Sequence, residues 1–181
     1  YYAFSVLFIQ NSCRGCMQFD LTTEQQMIAD TVADFARVEG IDEYVREAMK
    51  SEIGYRKSTW MNMSHQLGLP GLLIPAAVGG QELSMVEVAL VFQQLGRYLL
   101  PSPLLSTAVV SAVALRSLRT DEYLSQIASG EITVSLADLE DGKAEFVLDA
   151  ASADWLIVYN RSTEKMYIAE KNNPNIVVEP I

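Results

Sequence analysis

Few residues in this chain combine a reactive type with a telling spacing. Cys13 and Cys16 form a C-x-x-C behind the strand-like run YYAFSVLFIQ, the local pattern of a thioredoxin-type redox pair. That chemistry needs a helix opening at the first cysteine and a βαβ continuation. The pattern after Cys16 offers neither, so two unlinked thiols are expected. His65 is the single histidine. A zinc site takes about four ligands, and no Cys or His stands near His65 at ligand spacing, so it is expected on a helix and no metal site is expected. Gly79-Gly80 comes after a proline-interrupted loop rather than a strand, which is not the setting of a phosphate cradle. There is no nucleophile elbow, no P-loop and no G-x-G-x-x-G after a strand. Carboxylates are plentiful, but they fall on helix faces and turns that the hydrophobic pattern leaves exposed.

The bulk properties exclude several classes. Half of the 181 residues are hydrophobic, enough to bury a core in one large domain or two small ones. A net charge of -10 argues against nucleic acid and against an anionic membrane, both of which call for a basic surface. The apolar run at residues 2–9 is far shorter than the roughly 20 residues of a spanning helix, and it lacks the basic start and small-residue cleavage site of a signal peptide. A cytoplasmic protein is the expectation. Residues 1–16 read as an extension foreign to the rest of the chain, with Met17 a natural start.

The elements that could position any chemistry come from periodicity and punctuation. Thr22 with Gln25, or Thr23 with Gln26, offers a capping box for a helix reaching about Val38, with Ile28, Val32, Phe35 and Ala36 on one face. A more exposed helix is expected over 42–53. Trp60, Met63 and Leu67 share a face of the next, which Gly68 closes. The apolar segment 69–78 is broken by Pro70, Gly71 and Pro75, so it reads as a loop that needs cover. Ser84 and Glu87 form a second capping box, opening a helix with Val88, Val91, Phe92 and Leu95 inward, and Pro101 and Pro103 stop it. Helices over 107–118 and from Thr120 to about Ser129 complete this part. Beyond Gly130 the period changes, and strands are expected at 132–137, 144–148, 155–159, 166–169 and 176–178. The reading is α+β: an all-helical domain over 17–130, then a partial antiparallel β domain over 131–181.

The succession FDLTTEQQMIADTVADFA, W-x6-LGLPGLLIP, VGGQELSMVEVALVFQQLGRYLLPSPLLST and IASGE resembles the acyl-CoA dehydrogenase family over nearly the whole chain from Met17. Members read like L-G-x-x-G-L-x-x-P, then G-G, S-x-x-E and E-L-G-R. The resemblance implies an N-terminal helical domain, a middle β domain and a C-terminal four-helix bundle, of which this chain has the first, part of the second and none of the third. It implies removal of the α-proton of an acyl-CoA by a carboxylate while the β-carbon gives a hydride to FAD, with electrons passing on to an electron-transfer flavoprotein. The base normally comes from the bundle, so no carboxylate here is assigned that role, and the chain is expected to be inactive alone.

Residue by residue, the resemblance puts Pro103, Leu104 and Thr107 in the wall of the acyl pocket; an ordinary core or helix-start role stands beside this for each. In the flavin site, Ala137 and Asp138 stand where members carry Thr-Glu-Pro. Phe146 and Leu148 fall within a segment where members read Trp-Ile-Thr-Asn-Ala, with leucine replacing the hydroxyl. Two readings are open. One is the N-terminal part of an FAD-dependent acyl-CoA dehydrogenase of fatty acid or lipid catabolism, supplying the helical wall. The other is a degenerate, non-catalytic partner subunit of a heteromeric dehydrogenase that holds no FAD itself. Both imply a homo- or hetero-oligomer, and an isolated chain with an unpaired sheet edge and uncovered apolar faces.

Overall fold

The computed structural model describes residues 20–40 and 42–179. Cys13, Cys16 and the extension 1–16 lie outside the described residues. Helix α1 (Thr23–Glu39) opens on a capping box that selects Thr22 with Gln25. The Thr22 hydroxyl accepts from Gln25 N at 3.2 Å, and Thr22 N donates to Gln25 Oε1 at 3.0 Å. Helix α2 (Asp42–Ala48) ends five residues before the expected 53 and gives way to turns. Helix α3 (Lys57–Leu67) closes at Gly68 as the sequence predicts. Helix α4 (Met85–Arg97) opens on the Ser84–Glu87 box, and Gln25 Nε2 donates to Glu87 Oε1 at 2.8 Å. The caps of α1 and α4 are therefore one hydrogen-bonded cluster.

Between α3 and α4 the proline-rich segment makes two short 3₁₀ turns, Leu69–Gly71 and Ala76–Val78, and residues 69–74 are all buried. Buried backbone must be hydrogen-bonded, and here the chain folds back on itself to do it. Gln81 N donates to Gly71 O at 2.9 Å, Glu82 N to Ile74 O at 2.9 Å and Leu83 N to Leu72 O at 2.8 Å. The return requires Gly80, because a Cβ there would stand 2.0 Å from Ile74 O.

After α4, a π-helical segment (Leu105–Ser111) runs into α5 (Ala112–Leu118), and α6 (Asp121–Ser129) comes next. Strands β1 (Val134–Leu139), β2 (Trp155–Asn160) and β3 (Lys165–Glu170) form one sheet in the order β1-β2-β3. The helical-then-β order is the expected one. The sheet itself is mixed rather than wholly antiparallel: β2 and β3 pair antiparallel as a hairpin, while β1 and β2 run parallel. Alternation marks a strand but not its direction, and the connection 140–154 reaches the roughly dozen residues a parallel return needs. Two expected strands are not formed. Residues 144–148 are irregular, with Phe146 at φ +56°, and residues 176–178 pair with nothing among the described residues.

Two cores result. The first joins Val32, Trp60, Met63, Leu72, Val91 and Leu104. The second joins Ile74, Leu115, Leu124, Ile127, Val134 and Ile157, so the sheet packs onto α5 and α6. Trp60 Nε1 donates to Gly130 O at 3.0 Å in buried surroundings. Gly130 has φ +78°, and a Cβ there would meet Ser64 Oγ at 2.2 Å, so glycine is required where the helices hand over to the sheet.

Gly80→Ala should cost about 2 kcal/mol or more in urea unfolding, since the Ile74 carbonyl it strikes is backbone and cannot rotate away. Hydrogen bonds from Ser84, then Gln25, pull the Glu87 carboxyl from 4.5 to about 2. A carboxyl depressed in the folded state adds stability above its unfolded value, and that contribution is lost as pH falls from about 4.5 toward 2. Glu87→Gln should flatten this part of the acid-unfolding profile; an unchanged profile would count against the shared cap.

Candidate functional site

The residues with the most tightly specified surroundings lie where the π-helical segment meets β1. A buried hydroxyl on an apolar helix must find a partner, and Ser106, Thr107 and Ser111 are 2%, 0% and 0% exposed. Thr107 Oγ1 accepts from Val134 N at 3.1 Å and donates to Val134 O at 3.2 Å. Ser111 Oγ adds a donation to the same oxygen at 3.0 Å. Both backbone groups of Val134 are thus taken up by side chains of the helix. Pi-type turns are rare overall and frequent at functional sites; here the wide turn presents two hydroxyls, four residues apart, to one residue of the strand.

Further along the same seam, Ser106 Oγ donates to Asp149 Oδ2 at 2.6 Å and lies 3.0 Å from Pro103 O. Ser135 Oγ donates to Leu148 O. At the start of β1, Asp154 Oδ2 accepts from Thr133 N at 2.8 Å and from Thr133 Oγ1 at 2.9 Å, fixing where the strand begins. Every hydroxyl along this junction is committed within the protein.

The residues singled out by sequence are scattered over this region. Pro103 and Leu104 are buried, with Leu104 in the first core. Thr107 is the clamp on Val134. Ala137 is buried on β1, 6% exposed. Asp138 is exposed and held by Arg161, whose Nε reaches Oδ1 and Oδ2 at 2.8 and 2.9 Å; that guanidinium holds the Asp138 carboxyl below its usual range. Glu140 stands 3.4 Å from the same arginine. Phe146 and Leu148 project outward, 76% and 53% exposed. Pro103, Thr107 and Leu148 are brought to one seam, whereas Asp138 lies at the other end of β1. Sequence pattern does not single out Ser106, Ser111, Ser135 or Asp149. The available signal is three hydroxyls on one stretch of an otherwise apolar helix. His65 is exposed, and no cluster that could hold a metal ion exists among the described residues. No helix among them is long and apolar enough to cross a membrane.

The donor set tests a flavin directly. A flavin ring presents carbonyl oxygens and ring nitrogens that are met by hydrogen-bond donors. Ala137, Phe146 and Leu148 carry no polar side-chain atom, and the Asp138 carboxylate accepts but does not donate and is already paired. These four side chains do not fit the ring.

Known proteins resemble the chain in both sequence and fold. A family model described as acyl-CoA dehydrogenase, N-terminal domain, matches residues 22–131. Acyl-CoA dehydrogenase IpdE2 of Mycolicibacterium smegmatis is 32% identical over 143 residues, 79% of this chain and 44% of that protein. IpdE2 of Mycobacterium tuberculosis is 37% identical over 108 residues, 59% of this chain and 34% of that protein. The chain thus spans less than half the length of these curated relatives. Among solved structures, the ChsE4-ChsE5 complex from Mycobacterium tuberculosis shares the fold, with a TM-score of 0.74 at 21% identity, covering 87% of this chain and 50% of that one.

Thr107→Val keeps the shape and leaves the buried Val134 N–H unpaired, so a loss of about 1–3 kcal/mol is expected in urea unfolding. Thr107→Ser, which keeps the hydroxyl, should cost less. A harmless Thr107→Val beside a costly Thr107→Ser would show that the methyl group and not the hydrogen bonds holds the seam.

Proposed function

The chain belongs to the acyl-CoA dehydrogenase family, and we propose that it serves the α,β-dehydrogenation of an acyl-CoA thioester in an assembly whose FAD is held by another chain. In this reading the chain contributes the helical wall of the acyl pocket through the π-helical segment, which Pro103 and Leu104, themselves buried, back from the core side. Thr107 fixes that segment to the sheet. The observation that carries the reading is the donor inventory: the seam hydroxyls are consumed internally, and the side chains at Ala137, Asp138, Phe146 and Leu148 offer a flavin no donor. The ChsE4-ChsE5 structure supports it, since a chain that shares this fold stands there in a complex. The catalytic carboxylate then comes from outside these residues, an electron-transfer flavoprotein is the acceptor, and lipid catabolism is the setting.

A second reading keeps the same wall but makes the chain the N-terminal part of an enzyme that binds FAD itself. It is favoured by the match to less than half of each IpdE2 relative.

The two readings differ in flavin stoichiometry. Purified in its native assembly, the protein should show fewer FAD molecules than dehydrogenase chains, measured by flavin absorbance against quantified subunits. One FAD for every chain would sink the partner-held reading and support the second.

A further inference from the structure

Ser106 and Asp149 are distant in sequence and meet across the helix–sheet seam. Ser106 Oγ has two acceptors in reach, Asp149 Oδ2 at 2.6 Å and Pro103 O at 3.0 Å, but a single proton to give. The shorter contact, to a carboxylate, is the charge-assisted and stronger one. Asp149 lies in the irregular connection 140–154, where Phe146 and Asp149 hold φ of +56° and +54°. Non-glycine residues are disfavoured in that region and persist only where the surroundings fix them. The fixing contacts are visible: Ser106 on Asp149, Ser135 on Leu148 O, and Asp149 O accepting from Ser152 N at 3.0 Å and Ala153 N at 2.9 Å. Only the first ties the loop to a helix. Asp149 also lines an open groove of about 320 Å³ whose other side is formed by α2 and by Leu99 and Pro101.

We propose that Ser106 and Asp149 are positioning residues that form a latch. It locks the loop 144–153 onto the turn carrying Pro103 and Leu104, so that the acyl wall and the outward Phe146 and Leu148 are held as one piece. This rests on the reading in which the turn carrying Pro103 and Leu104 backs the acyl wall. Ser106 acts through the loop and does not touch substrate.

Hydrogen exchange on the full chain tests the latch without reference to activity. Ser106→Ala and Asp149→Ala should each raise exchange of the amides over 147–152 about tenfold and leave those of α5 and α6 unchanged. Asp149→Asn, which keeps an acceptor oxygen, should restore most of the protection. Unchanged loop exchange in both alanine variants would overturn the latch, as would an asparagine variant as loose as the alanine one. Asp149 is only partly buried, unlike Ser106, so its variants remain readable if Ser106→Ala fails to fold. In the native assembly the alanine variants should raise KM for an acyl-CoA several-fold with kcat nearly constant. A loosened loop with unchanged KM would overturn the positioning role. If the wild-type assembly oxidises no acyl-CoA, the functional reading fails, and the exchange result still decides the latch.

Discussion

Six consecutive residues, 69–74, are buried without belonging to a regular α-helix or a sheet, and the rest of the fold is arranged around satisfying them. Their apolar side chains drive the burial, yet their backbone amides and carbonyls cannot be left dry without partners. The chain meets the demand by doubling back through Gln81, Glu82 and Leu83, which is possible only with glycine at position 80. Arg116 closes the remaining side, its Nη1 donating to Leu73 O at 2.8 Å and drawing α5 over the loop. The doubling back also fixes the chain just before α4, whose cap is shared with α1. Leu72 and Leu73 belong to the helical core, and the adjacent Ile74 belongs to the core beneath the sheet. One buried loop thus joins both cores.

Local chemistry decides some features alone, and those are legible in the sequence. Ser84 with Glu87, Gly68 after Leu67 and Gly130 after Ser129 are stop and start signals whose physics involves only neighbouring residues, and the helices begin and end there. Strands β2 and β3 are legible because a tight turn ties them, at residues 160–164. Less local features are not. The parallel pairing of β1 with β2 depends on where a long connection returns, which no pattern of hydrophobicity encodes. Residues 144–148 have strand-like composition, yet Phe146 takes a left-handed conformation and the segment finds no strand partner. The π-helical geometry is equally hidden: nothing in the composition of LSTAVVS marks it, and the residue its two hydroxyls meet, Val134, is 27 and 23 residues away.

The site is legible only in part for a related reason. Family resemblance points to Thr107 and Leu148 as single residues, but their surroundings are set by partners 27 and 13 residues away, Val134 and Ser135. A threonine hydroxyl has one proton to donate and lone pairs to accept, and Thr107 uses both capacities on one residue of β1. That commitment changes what the residue can do. A hydroxyl engaged in both directions in a fully buried setting is poorly suited to exchange partners with an incoming ligand, because releasing Val134 would leave a buried N–H unpaired.

The same matching of donors to acceptors explains why the seam can be rigid while the surface beside it stays apolar. Ser106, Thr107, Ser111 and Ser135 turn their polar atoms inward and satisfy backbone or carboxylate groups that would otherwise be stranded. The outward positions of the same region, Leu105, Val113, Phe146 and Leu148, are then left with apolar side chains at 44%, 51%, 76% and 53% exposure. A surface of that kind offers shape and hydrophobic contact, with no donor to orient a polar ring. It suits apolar contact better than the polar edge of a flavin, and that is the physical ground on which the proposal of a wall, with the cofactor held elsewhere, stands.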